Sequence, residues 1–270
     1  MNGKKVLFVS SEVIPYLPNN DISSLSYNLP KMVNENGGQT RIFIPKYGII
    51  NERRHQLHEV IRLSGMNLII DDIDMPLIIK VASIPKERMQ VYFIDNDEYF
   101  KNRGLHYNEK NKKPYKDNDE RAIFFAKGVV ETIKKLNWSP DIIHVHGWIA
   151  SLLPLYLKEY YKDEPLFNNS KVVVSLYENK INGKLDSNIV KKIKFDEVES
   201  KTLDVLNDAT FLNLFKNAVL NSDGVVLTGE KVDKAILEFV NSRKIPILKC
   251  GFVEGFKEEY LNFYKTKILN

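Results

Sequence analysis

The sequence is poor in the groups that announce chemistry. A single cysteine, Cys250, stands in 270 residues, which excludes an internal disulfide and a cysteine-built zinc site and fits a reducing compartment. No apolar run approaches the roughly 20 residues needed to cross a bilayer, so no membrane association is expected. Two lysines at the start precede only four apolar residues and a serine pair, too few for a signal peptide, and a cytoplasmic protein is expected. The net charge of +4 is too small to point to nucleic acid. The nearest basic cluster, Lys191, Lys192 and Lys194, reads as a solvated helix face rather than a phosphate patch. Neither G-x-G-x-x-G nor G-x-x-x-x-G-K-[ST] occurs, so no glycine-rich phosphate cradle is in view.

What is present is a core and a rhythm. With 43% hydrophobic and 27% charged residues the chain is composed as a globular protein. "KKVLFVS" is a continuous apolar run, the mark of a strand buried on both faces. Leu25, Leu29, Met32 and Val33 then recur at helical spacing, Pro30 is expected to kink that helix, and Gly37 and Gly38 end it. "TRIFIP", "MQVYFID", "PDIIHVHG", "KVVVSLY", "DGVVLTG" and "IPILKC" read as further strands. Helical patterns fall at 119–138, 148–161, over "FLNLFKNAVLNS" and over "KVDKAILEFVNS". Residues 57–88 have strand content without helices and are expected to form a small antiparallel insertion. A helix at 254–267 is expected to close the chain. Stretches 102–118 and 179–187 read as polar surface loops, the first expected to be mobile. Strand alternating with helix, without a repeat or a linker, predicts one α/β domain over 1–270 with a doubly wound, mostly parallel, Rossmann-like sheet.

In such a sheet ligands bind beyond the carboxyl ends of the strands. Those ends are residues 10–12, 45–47, Asp95, 146–148, 177–179 and 228–230. His144 and His146 alternate on one strand and face the same way, a spacing that can chelate a metal. No third ligand is near, so a structural role is favoured and no metal or cofactor is expected. Glu12 can anchor a neighbouring loop, or act as an acid or base if its pKa is raised and it has a partner. Tyr16, Tyr47 and Trp148 are aromatic candidates for facing a ligand there, with ordinary core packing the competing reading for each.

"EVIPYLPNNDISSLSYNLPK", "IPKYG", "VYFIDNDEYF", "DNDERAIFFAKGV", "PDIIHVHGW" and "NAVLNSDGVVLTGEKVDKAI", in that order, resemble the N-terminal half of the bacterial glycogen and plant starch synthases. The resemblance covers about residues 5–237 and implies the N-terminal half of a GT-B glycosyltransferase fold. It implies transfer of glucose from ADP-glucose to an α-1,4-glucan, with the donor held between two Rossmann-like domains. The family's first loop reads approximately E-V-A-P-F-x-K-x-G-G-L. Its lysine falls on Pro18 and its glycine pair on Asn20 and Asp21. The aspartate of H-x-H-D-W falls on Gly147, and the histidine and asparagine of T-x-H-N fall on Tyr177 and Glu178. No catalytic residue is therefore expected. The crevice candidates are Glu12, Tyr16, Asn20, Asp21, Tyr47, His146, Trp148, Tyr177 and Glu178.

The favoured expectation is a catalytically incomplete relative, a pseudoenzyme. Its crevice, lacking a second domain to cover it, would face an α-glucan or a protein partner. The alternatives are an active glucosyltransferase completed by a partner chain, and a binding module with an unrelated ligand.

Overall fold

The computed structural model describes residues 1–87, 89–178, 181, 183–229, 232–250 and 257–270. Its described strands are β1 (Lys5–Ser10), β2 (Gln39–Pro45), β3 (His58–Glu59), β4 (Met66–Ile70), β5 (Ile73–Ile84), β6 (Met89–Asp95), β7 (Ile142–His146), β8 (Lys171–Leu176), β9 (Gly224–Thr228) and β10 (Ile247–Cys250). Its α-helices are α1 (Asp21–Glu35), α2 (Asn118–Leu136), α3 (Leu153–Lys158), α4 (Ile189–Phe195), α5 (Phe211–Leu220), α6 (Lys234–Asn241) and α7 (Lys257–Phe263).

The strand order is β10-β9-β8-β7-β1-β2-β6-β5-β3, with β4 paired to β5. From β10 to β6 every pairing is parallel. The central strands are buried along their length because helices cover both faces, which is why they read as unbroken apolar runs. The expected antiparallel strands lie at one edge: β5 runs antiparallel to β6, and β3 and β4 antiparallel to β5. β6 returns to the main sheet beside β2. The chain winds outward through β1, β2 and β6, then crosses back to lay β7 on the other side of β1. The order reverses between β1 and β7, and the crevice of such a sheet opens there.

Helix α1 packs on β1 and β2, and α7 touches α1 and β10. Residues Tyr264–Ile268 continue α7 as a π-helical turn, and Ile268 and Phe263 pack where Gly224 starts β9. Helix α2 meets α3 and α4, and α5 meets α3 and β8.

Several expectations need correction. Helix α1 continues across Pro30 to Glu35, its buried stripe of Leu25, Leu29, Met32 and Val33 as the spacing predicted, so that stretch needs no correction. The segment expected to be one helix at 148–161 is a 3-10 turn at Trp148–Ala150 followed by the short α3. Pro154 sits in the first turn of α3, where its missing N–H costs nothing. Lys192 does not belong to a solvated face. It is buried on α4 and ion-paired with Asp119 at 2.8 Å and Glu120 at 2.6 Å on α2. Stretch 102–118 carries its own bridge between Tyr107 and Pro114. It is tied to α2 by Arg121, which is wholly buried and donates to the Gly104 and Leu105 carbonyls at 2.8 Å each.

Candidate functional site

The site grows from the turn after β1. Ser10 Oγ donates to the Glu12 carbonyl at 2.8 Å and accepts from the Glu12 N–H at 3.1 Å, so the chain folds back on itself as the strand ends. Ser10 Oγ also shares a 2.7 Å hydrogen bond with Ser26 Oγ of α1, fixing the turn to the helix. The fold-back turns the Glu12 side chain toward the helix N-terminus. Asn20 Nδ2 donates to Glu12 Oε2 at 2.6 Å.

Asn20 is the N-cap of α1. Its Oδ1 accepts from the Ser23 N–H, and its own N–H donates to Ser23 Oγ, each at 2.9 Å. This reciprocal box satisfies donors that an uncapped helix would turn outward. Asp21 follows in the first turn, where the helix dipole favours a negative charge. Burial raises the Glu12 carboxyl above its ordinary range, with the Asn20 hydrogen bond opposing it. Among the described residues no ion pair involves Glu12.

At the end of β7, Gly147 has φ +81°, and a Cβ there would lie 2.2 Å from Ser11 Oγ. Any other residue would need both a strained backbone and a displaced Ser11. The two histidines of β7 face one side, ring centroids 4.1 Å apart. His144 Nε2 pairs with Ser175 Oγ at 2.8 Å and its Nδ1 with the Tyr264 hydroxyl, while His146 Nδ1 pairs with the Tyr177 hydroxyl at 2.6 Å. Burial keeps both rings neutral: His146 falls to about 3, and His144 goes well below its ordinary value, with His146 adding to the effect. Among the described residues no group of three His, Cys, Asp or Glu side chains is placed to hold a metal ion. The histidines thus serve as hydrogen-bonding core residues that brace Tyr177 and α7.

These elements surround a cavity of about 260 Å³ at the β1–β7 switch point. Of the sequence candidates, Glu12, Asn20, Asp21, Trp148, Tyr177 and Glu178 line it. His146 stands behind Tyr177, wholly buried. Two aromatic candidates are corrected. Tyr47 has no exposed surface and packs edge-on to Phe100, and Tyr16, 5% exposed, packs edge-on to Phe93. Neither ring is presented to a ligand in this structure. Pro18 lies outside the lining, its carbonyl accepting from Ser23 Oγ, and Gly147 lies within it. Of the strand-end positions, Asn179 and Glu230 fall outside the described residues.

The rest of the lining was not anticipated. Leu105 and His106 come from stretch 102–118, Leu212 and Phe215 from α5, and Asp233 and Ile236 from the start of α6. His106 is pushed down to about 4 by burial and by Arg121, so it is neutral at pH 7. Asp233 caps α6, accepting from the Ala235 N–H at 2.8 Å. No lysine or arginine is among the described lining residues.

Comparison with known proteins places this geometry. The family model of the starch synthase catalytic domain matches residues 5–243. The chain is 36% identical over 226 residues to a glycogen synthase of Chlorobium luteolum, covering 84% of this chain and 46% of that protein. It is 34% identical over 235 residues to a glycogen synthase of Chlorobaculum tepidum, covering 87% and 47%. The chain therefore spans about half the length of the curated relatives it matches. Among solved structures, the catalytic domain of starch synthase IV from Arabidopsis thaliana, bound to ADP and acarbose, superposes with a TM-score of 0.73 at 17% identity. The match covers 94% of this chain and 53% of that one. That likeness extends the parallel sheet to a neighbour of the same fold. With most of its length matched by the family model and over a third of the aligned residues shared with its relatives, this chain belongs to the starch synthase catalytic domain family.

Proposed function

We propose that the chain is a glycogen- or starch-synthase-like protein of glucan metabolism that does not itself transfer glucose. On this reading it keeps the scaffold as a glucan- or partner-binding pseudoenzyme. The glycogen synthase names of its relatives support the glucan setting. The observation that carries the loss of transfer is the N-terminus of α1. A diphosphate is held at such a place by outward-facing N–H groups and nearby cations. Here the Ser23 N–H is taken by Asn20 Oδ1, and Asp21 adds a negative charge in the first turn. Pro18 stands where the family pattern has its lysine and contributes no charge. Gly147, where the pattern has an aspartate, offers no side chain to a sugar hydroxyl, and Ser11 fills the space beside it.

Losing one contact made in the transition state costs on the order of 10² to 10³ in rate. Residues that act as a unit do not lose activity additively, and little remains once several are gone.

The test is ADP release when the purified chain is incubated with ADP-glucose and glycogen. Release at the level of a protein-free control is the expected outcome. Turnover that disappears in Glu12→Gln or His146→Ala would overturn the reading. Retarded migration in a native gel containing glycogen is expected if the glucan is the retained partner, and unchanged mobility would exclude the glucan.

A further inference from the structure

A second cavity, a groove of about 450 Å³, shares no residue with the crevice. It lies between β4, α2, the turn after α3 and the end of α4. Its walls, and the residues beside them in sequence, all lie within the described part of the chain. The polar floor is closed. Lys127, 4% exposed, donates to the Ile69 carbonyl at 2.7 Å and pairs with Asp196, whose other oxygen accepts from the Tyr156 hydroxyl at 2.6 Å. Lys127 Nζ also lies 5.0 Å from the centre of the Tyr160 ring. Among the described residues of the groove no buried side-chain nitrogen or oxygen lacks a partner, so the floor offers nothing to a small polar ligand.

The walls are open. Six large apolar side chains are exposed among the described residues, and three of them line this one groove: Ile69 at 50%, Tyr160 at 43% and Phe195 at 51%. Scattered singly, such residues need no explanation, but gathered on one surface they mark a place that another molecule covers.

The charges around the groove select that molecule. On the β4–β5 hairpin, Asp74 stands opposite Ile69 and shares its face, and Asp72 sits in the turn. Both are exposed, and neither joins an ion pair among the described residues. On α4, Lys191 lies one turn before Phe195 and Lys194 lies beside it, both exposed. Lys194 comes no nearer to a described carboxylate than 3.9 Å, at Glu199. Of the acids in the lining, Glu131 is held by Lys134 at 3.0 Å, and Glu197 is exposed. A nucleic acid or an anionic membrane would call for positive charge alone. A second copy of the chain answers both signs. A two-fold axis through the groove lays the acidic hairpin of each copy on the lysines of the other copy's α4, and Phe195 of each on Ile69 and Tyr160 of the other. Such a contact needs one patch that carries both members of every pair, and this patch does.

We propose that two copies of the chain form a symmetric dimer through this groove, with Phe195 as the apolar anchor and Lys191 and Lys194 of one copy facing Asp72 and Asp74 of the other. No residue of the crevice lining takes part, so the dimer stands or falls independently of the loss of glucose transfer.

Sedimentation equilibrium of the purified chain over about 1–100 μM tests it. A monomer–dimer equilibrium is expected, the dimer at twice the chain's 31.3 kDa. Phe195→Asp is expected to raise the dissociation constant at least about tenfold, as loss of a central anchor does. Two charge reversals test the pairing itself. Asp72→Lys with Asp74→Lys, and Lys191→Glu with Lys194→Glu, each set like charges against one another in both halves of the contact, and each variant is expected to dissociate. Mixed in equal amounts, the two variants again bring opposite charges together at every pair, and a heterodimer is expected. A dimer is likewise expected of the chain that carries all four substitutions. Local damage to the fold would not be repaired by mixing. A chain that stays monomeric throughout, an assembly larger than a dimer, a dimer indifferent to Phe195→Asp or to the reversals, or reversed variants that stay apart when mixed would overturn the proposal.

Discussion

Asn20 carries more of the site than any other single side chain. It caps α1 with Oδ1 and holds Glu12 with Nδ2, joining the end of β1 to the helix that follows. Asn20→Ala removes both bonds. Loss of the cap alone costs about 0.5–2 kcal/mol, and the buried Glu12 carboxylate is left without its donor as well. A urea unfolding midpoint lowered by at least the cap's worth is expected, and an unchanged midpoint would mean that the latch contributes nothing. The buried histidines give a second expectation at this scale. His146 titrates near 3 in the folded chain, against an ordinary value of 6.5, and His144 lies well below that value too. Below 6.5 the unfolded chain takes up protons that the folded chain refuses. Stability therefore falls as pH drops from 6.5 toward 3, by up to about 1.4 kcal/mol per pH unit for each ring. Glu12 acts in the other direction: its raised folded pKa means that its burial penalty is relieved as it takes up a proton on acidification. Urea midpoints measured from neutral pH down to about pH 5 are expected to fall with a slope that His146→Asn flattens. A slope indifferent to that substitution would contradict the assignment. At the residue scale the sequence carried Glu12, which follows a strand end, and Asn20, on which the family's glycine pair falls. It did not carry the burial of Tyr47, whose loop position says nothing about Phe100 packing over it.

Periodicity revealed the elements that bury a single apolar stripe or lie wholly inside, and it concealed those held by charge. Helix α1 shows its stripe at Leu25, Leu29, Met32 and Val33, and β1 and β9 are apolar throughout, so both kinds were legible. Helix α4 was not. Its Lys192 looks like surface until Asp119 and Glu120 are brought to it from more than 70 residues away in sequence. Stretch 102–118 misleads in the same way, since its polarity hides a buried clamp. Arg121 has no exposed surface, bonds the Gly104 and Leu105 carbonyls and Asn118 Oδ1, and lies over the Tyr115 ring at 5.0 Å. That clamp places Leu105 and His106 on the cavity wall. Arg121→Met strands two carbonyls and an amide oxygen, and is expected to cost about 2–4 kcal/mol. Faster tryptic cleavage after Lys110, Lys112 or Lys116 is expected to accompany it, and a cleavage rate equal to that of the unmodified chain would show that the stretch holds itself.

At the scale of the whole molecule, topology locates the crevice and the lining decides what it can hold. The winding of β1, β2 and β6 to one side and of β7 to β10 to the other makes a crevice whatever lines it, and a chain read only as alternating strands and helices locates that crevice. The identity of the lining was half legible. Glu12, Asn20, Asp21, Trp148, Tyr177 and Glu178 lie at strand ends or the helix start, whereas Phe215 and Asp233 arrive from helices whose approach depends on how α5 and α6 pack. The result is a family scaffold whose crevice combines carboxylates, an apolar wall and a capped helix. The claim on which this account depends is that such a crevice does not accept a nucleotide diphosphate. The chain has two tryptophans, so its indole N–H region holds two signals, and that of Trp148 reports from the cavity wall. Titration of the ¹⁵N-labelled chain with ADP, followed at that signal, tests the claim most directly. The account predicts no saturable shift through millimolar ADP; a saturable shift at the Trp148 signal, weakened by salt, would contradict it.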